Sequence, residues 1–203
     1  MKKQIWFLIA VVGFFATLLL QSCGDGELAI TPKPRGFPKV VYPERKYQNF
    51  EAGYCDFTFE YPTYAKIEKD EAFFGDKPVN ECWFDIVIPQ FNAKIHCTYS
   101  PIDQKSTVEN LKNDAFELAH KHNIKAKYIE EIQINTSNGA KGFAFNLEGE
   151  VASPFQFFLT DEERHFMRGS LYFNNKVATD SLAPVFTFVK KDLEHMINTL
   201  KWE

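Results

Sequence analysis

From residue 54 onward, apolar and polar positions alternate in a series of short runs. In Tyr54–Tyr61, Cys55, Phe57, Phe59 and Tyr61 share one side and Asp56, Thr58 and Glu60 the other, the period-two pattern of a half-buried strand. Cys82–Ile88 repeats it, with Cys82, Phe84, Ile86 and Ile88 opposite Trp83, Asp85 and Val87, and Pro89-Gln90-Phe91-Asn92 turns the chain into Ala93–Tyr99. Further strands are predicted over Lys127–Ile134 and Lys141–Leu147, joined through Ser137-Asn138-Gly139. Asn-Gly suits the positive φ angles of a tight hairpin. Phe155–Thr160 and Arg164–Phe173 make the next pair across Asp161-Glu162-Glu163.

Twice the period lengthens to that of a helix. Ser106-Thr107-Val108-Glu109 reads as a capping box, in which Ser106 accepts the Glu109 amide and the Glu109 side chain reaches back. Val108, Leu111, Ala115, Leu118 and Ala119 then recur at helical spacing up to about His122. A second helix is expected from Asp180 or Ser181, with Pro184 in its first turn. Its apolar stripe includes Leu182, Val185, Val189, Leu193, Met196 and Ile197. Hairpins without helical crossovers predict an α+β fold: a mostly antiparallel sheet of about seven strands covered by two helices on one face. Residues 51–203 are expected to form this single domain.

The N-terminus follows different rules. Met1-Lys2-Lys3 is a short positive segment, Ile5 to Leu20 is almost uninterrupted apolar sequence, and Ser22 stands just before Cys23. That is the layout of an export leader over residues 1–22, followed by a cysteine whose thiol takes a diacylglycerol. The apolar run of about 16 residues falls short of the roughly 20 that a membrane span needs. Residues 23–50 are expected to be an extended, lipid-anchored tether, since Pro32, Pro34, Pro38 and Pro43 are interspersed with Lys and Arg. At about 3.1 Å per residue, some 20 residues reach up to roughly 60 Å. Residues 36–43 are more apolar than a spacer needs, which leaves docking on a partner or on the domain itself open.

Loss of Lys2 and Lys3 with the leader leaves 21 Lys and Arg against 27 Asp and Glu, a net charge of −6. An acidic domain excludes nucleic acid as an expected partner. Beyond Cys23 the chain has Cys55, Cys82 and Cys97, an odd number that leaves one thiol unpaired within the chain. Strand parity puts all three on inward faces as small hydrophobes, with a Cys82–Cys97 cross-strand disulfide as the other reading.

Motif chemistry is sparse. There is no G-x-S-x-G elbow and no phosphate-cradling glycine loop. His120 and His122 are about 200° apart on a helix and cannot share a metal, and Cys82, His96 and Cys97 lack zinc-ligand spacing. No catalytic residue, no metal and no cofactor beyond the lipid on Cys23 is expected. Parity places His165 on the core side of its strand. It places Trp83, Phe166, Arg168 and Tyr172 on the other face, where residue types enriched at interface hot spots form a candidate partner-binding set. The same aromatics could equally be packed beneath a loop such as residues 62–80.

Five segments resemble the gliding-motility lipoprotein GldD family of Bacteroidota. They are Cys82-Trp83-Phe84-Asp85-Ile86, Ile95-His96-Cys97-Thr98-Tyr99, Phe155–Asp161, His165–Phe173 and Asp180–Val185. The leader, Pro32-Lys33-Pro34-Arg35-Gly36 and the final Leu193–Trp202 segment resemble it too, so the likeness covers essentially the whole chain. The resemblance implies an outer-membrane-associated lipoprotein of the cell envelope, required for gliding and for type IX secretion, whose partners are proteins of that apparatus. Only the lipidated cysteine carries over as a site residue, onto Cys23. The layout also resembles the Mog1/PsbP-type sandwich, which carries no function. Two roles follow: a non-enzymatic accessory subunit acting through protein contacts, or an envelope hydrolase or carbohydrate-binding protein with a site near His96, His165 and Arg168.

Overall fold

The computed structural model describes residues 39–69, 80–174 and 179–203. The leader, Cys23 and the tether as far as Pro38 lie outside the described residues, as do residues 70–79 of the expected loop. In chain order the elements are β1 (Tyr47–Phe50), β2 (Phe57–Pro62), β3 (Lys66–Lys69), β4 (Phe84–Ile88), β5 (Ala93–Pro101), α1 (Val108–His120), β6 (Ala126–Asn135), β7 (Lys141–Gly149), β8 (Phe155–Thr160), β9 (His165–Phe173), α2 (Thr179–Thr199) and β10 (Lys201–Trp202).

Seven strands form one antiparallel sheet in the order β3-β4-β5-β9-β8-β7-β6. The predicted hairpin between β6 and β7 closes through Gly139 at φ +85°. A smaller sheet, β1-β2-β10, pairs the start and end of the described chain.

Parity sorts the large sheet into two faces. Phe84, Ile86, Ile95, Cys97, Phe157, Met167 and Leu171 pack in one core with Phe57 and Phe59 of β2 and Val185, Val189, Leu193 and Met196 of α2. Phe145, Leu147, Phe158 and Phe166 point the other way, into a second core with Ala115 and Ala119 of α1. The helices therefore cover opposite faces of the sheet, not one face as expected. The cause lies in β8, where all six residues are buried, so that both faces of the sheet's centre require cover. Each fully buried Phe contributes about 1.5–3 kcal/mol relative to exposure.

Other details differ from the sequence reading. Thr107 rather than Ser106 caps α1, its hydroxyl accepting the Asn110 amide. Helix α2 starts at Thr179, which puts Pro184 inside the helix at the cost of one internal hydrogen bond. The domain also begins before residue 51: Tyr47–Phe50 pairs with β2, and Tyr42 packs against Phe91 and Phe188. The described end of the tether thus docks on its own domain. Cys55 and Cys82 form a disulfide, with Cα atoms 5.7 Å apart, and Cys97 is free and buried. The alternative Cys82–Cys97 pairing is excluded. Parity reported that each cysteine faced inward and could not report which two met.

Candidate partner-binding surface

Helix α1 packs over β8 and β9. Beyond it the same sheet face continues across β9, β5 and β4 as a polar strip. Register aligns Asp85, His96, Ser170 and Gln156 across four neighbouring strands. A parallel row sets Thr98 beside Arg168, and Lys94 lies beside Tyr172.

The β4 end of the strip is charge-balanced. His96 Nδ1 donates to Asp85 Oδ1 at 2.8 Å and Lys94 Nζ to Asp85 Oδ2 at 2.7 Å. Burial pushes the Asp85 pKa up, but the hydrogen bonds from His96 and Lys94 outweigh it, so the carboxyl sits below its usual range. Trp83 stands edge-on to His96 and donates its indole N–H to the Tyr99 carbonyl at 3.0 Å.

The β9 end is not balanced. Half-buried Arg168 donates to Gln156 Oε1 at 2.8 Å. Among the described residues no carboxylate pairs with it. Burial lowers the pKa of Arg168 while Tyr172 acts in the opposite sense. Burial and the Arg168 charge together also lower the pKa of His122, which favours its neutral form. Gln156 Nε2 and Ser170 Oγ, both buried, have no hydrogen-bond partner among the described residues. The strip therefore ends in a half-buried guanidinium whose side-chain partner is a neutral amide, an arrangement suited to an incoming carboxylate.

The gliding motility lipoprotein GldD family model matches residues 27–202. The chain belongs to that family. GldD-family membership makes it a gliding-motility lipoprotein, associated with the cell envelope. No curated protein sequence matches it. Among solved structures it is similar to the solution structure of cyanobacterial PsbP (CyanoP) from Synechocystis sp. PCC 6803, at 12% identity over 84% of this chain and 99% of that one, with a TM-score of 0.46. No functional inference rests on that likeness.

Within this GldD-family domain the expected partner-binding set divides. Trp83, Arg168 and Tyr172 stay half-buried on the polar strip. Phe166 does not: it is 4% exposed and stacks on Phe158 with ring centroids 5.3 Å apart, beneath α1. The expected grouping of His96, His165 and Arg168 divides as well. His165 lies on the opposite face, where its Nδ1 is 2.8 Å from the Tyr99 hydroxyl and its ring stacks on Trp202. Parity puts Asp85 with Trp83 and Ser170 with Arg168 on this face, outside the expected partner-binding set, whereas Lys94 and Gln156 were missed. Gln156, a polar residue inside the apolar run Phe155–Leu159, was the available signal.

Elsewhere, a cavity of about 410 Å³ opens between the β7–β8 connection and the start of α2, with Val151, Pro154, Phe173 and Leu182 in its walls. Among the described residues no group of His, Cys, Asp and Glu could hold a metal ion, and no helix is long and apolar enough to cross a membrane.

Proposed function

We propose that this protein is a non-enzymatic accessory component of the gliding motility and type IX secretion machinery, anchored at the outer membrane by a lipid on Cys23. It acts by docking a protein partner on the strip that carries Trp83, Arg168 and Tyr172. The observation that carries this reading is the Arg168 guanidinium, which has a neutral amide as its side-chain partner and no carboxylate from the described residues. A partner Asp or Glu supplies that carboxylate in a charge-assisted, two-point contact, with Trp83 and Tyr172 providing apolar area beside it. The separation of His165 from His96 and Arg168 weighs against the hydrolase alternative, which required the three together.

The test combines Trp83→Ala with Arg168→Ala in the native host. Loss of motility and of partner co-purification, with normal protein abundance and a nearly unchanged melting temperature, is the expected result. Normal motility in a folded double variant would refute the reading.

A further inference from the structure

The two ends of the seven-stranded sheet are built differently. At one end β3 has four residues, Lys66-Ile67-Glu68-Lys69, three of them charged. Short, charged edges resist pairing with another chain. At the other end β6 has ten residues, Ala126–Asn135, with neither proline nor glycine, and among the described residues nothing pairs with its outer side.

Its outward groups follow from the hairpin. The Thr136 amide donates to the Ala140 carbonyl, so residues 136 and 140 form a hydrogen-bonded pair. Alternation along an antiparallel ladder then directs Ile134, Ile132, Glu130 and Tyr128 toward β7. The N–H and C=O groups of Ile129, Glu131, Gln133 and Asn135 point outward.

Apolar surface collects at the same edge. Ile124, just before β6, is 91% exposed, Tyr128 59% and Ile132 37%. The strand is acidic at its centre through Glu130 and Glu131, and Glu148 lies opposite Tyr128 on β7. Pairing β6 antiparallel with itself over its full length would set acid against acid, which is unfavourable.

We infer that β6 is a strand-addition site, which accepts an extended segment of a partner protein that alternates β-branched apolar residues with Lys or Arg. Main-chain hydrogen bonds to Ile129, Glu131, Gln133 and Asn135 supply the pairing. Tyr128 and Ile132 take the apolar side chains on one face, and Glu131, 2.8 Å from His120 on the other face, selects the basic ones. The edge is separate from the Arg168 strip, so the failure of either proposal leaves the other standing.

The probe is a synthetic peptide of about ten residues that alternates Val and Lys, matched to the strand. It is added to the mature chain carrying Cys23→Ser, and amide hydrogen exchange is followed by NMR. Without peptide the amides of Ile129, Glu131, Gln133 and Asn135 should exchange freely, and with it they should slow about tenfold or more. A peptide N-methylated on alternate residues, or one alternating Val and Glu, should have no such effect. Gln133→Pro removes one outward N–H without touching the β6–β7 ladder. It should abolish the protection and impair motility, whereas Gln133→Ala preserves both. Equal slowing by the N-methylated peptide, no slowing by the Val/Lys peptide, or slow exchange in the free protein through self-association would each overturn the inference. If Gln133→Pro lowers the melting temperature, the peptide comparison on the unaltered chain decides.

Discussion

Arg45 and Asp192 meet at 3.0 Å across 147 positions of the chain. Asp192, 3% exposed on α2, also accepts hydrogen bonds from the Tyr47 hydroxyl at 2.9 Å and from the Tyr64 hydroxyl. The Arg45 guanidinium lies 4.0 Å from the centre of the Phe188 ring. One buried carboxylate thus fastens the end of the tether to the domain's last helix. Asp192→Ala leaves three donors without their acceptor and should destabilise the domain by about 3 kcal/mol, read as a lowered urea midpoint. An unchanged midpoint would mean that the strap adds nothing to the fold.

The same contact gives an alkaline pH dependence. Burial, then the hydrogen bond to Asp192, pushes the Tyr47 pKa up to about 12 from an ordinary value of 10.0. A raised folded-state pKa contributes stability that is intact below the unfolded value and is lost as pH rises from about 10 to about 12. Tyr47→Phe should flatten the fall in unfolding midpoint between about pH 9 and pH 11.5. An identical slope in the variant would assign the loss to other groups.

Cys55 and Cys82 lie 27 positions apart, and opening that loop by Cys55→Ser should cost about 3–4 kcal/mol in the chain-entropy account. Cys97 is fully buried, and burial pushes its thiol pKa up. With Cys23 replaced, alkylation followed by mass spectrometry should find no reactive thiol in the native protein and a single one after denaturation without reductant. Two or more modified thiols would contradict the pairing.

Phe166 and Arg168 are two positions apart on β9 and should behave oppositely. Phe166→Ala opens a cavity beneath α1 and should cost about 3–5 kcal/mol. Arg168→Ala should leave the melting temperature within about 2 °C, as is usual for a substitution outside the core, while disrupting partner capture. Equal destabilisation by both would make Arg168 a structural residue.

Cys23→Ala should abolish acyl labelling and leave the leader uncleaved, as judged by mobility on a gel after growth with a labelled fatty acid. Persistence of the label would move the lipid to another residue.

The strands β2 and β4 to β9, and both helices, were legible in the sequence because each is long enough to show its period. The short strands were not. Lys66–Lys69 has no apolar alternation, and Lys201–Trp202 is a strand only because Trp202 pairs with Phe57. Tyr47–Phe50 was hidden for a similar reason: its pairing with β2 depends on chain that follows it, while the prolines before it suggested a tether. Of the candidate surface, parity found the face, and the loss of Phe166 to the core came from the position of α1.

By itself the sequence determined the α+β class, the antiparallel pairing of neighbouring strands, and which residues of each strand share a face, because these follow from backbone periodicity and short connections. Only the tertiary structure decided that Cys55 meets Cys82, that Arg45 reaches Asp192, and that the helices lie on opposite faces of the sheet. It also separated His165 from Arg168 and buried Phe166 while leaving Trp83 and Tyr172 half-exposed. Parity states the side of a sheet to which a residue points. What stands on that side is set by elements distant in the chain, through packing that no local period encodes.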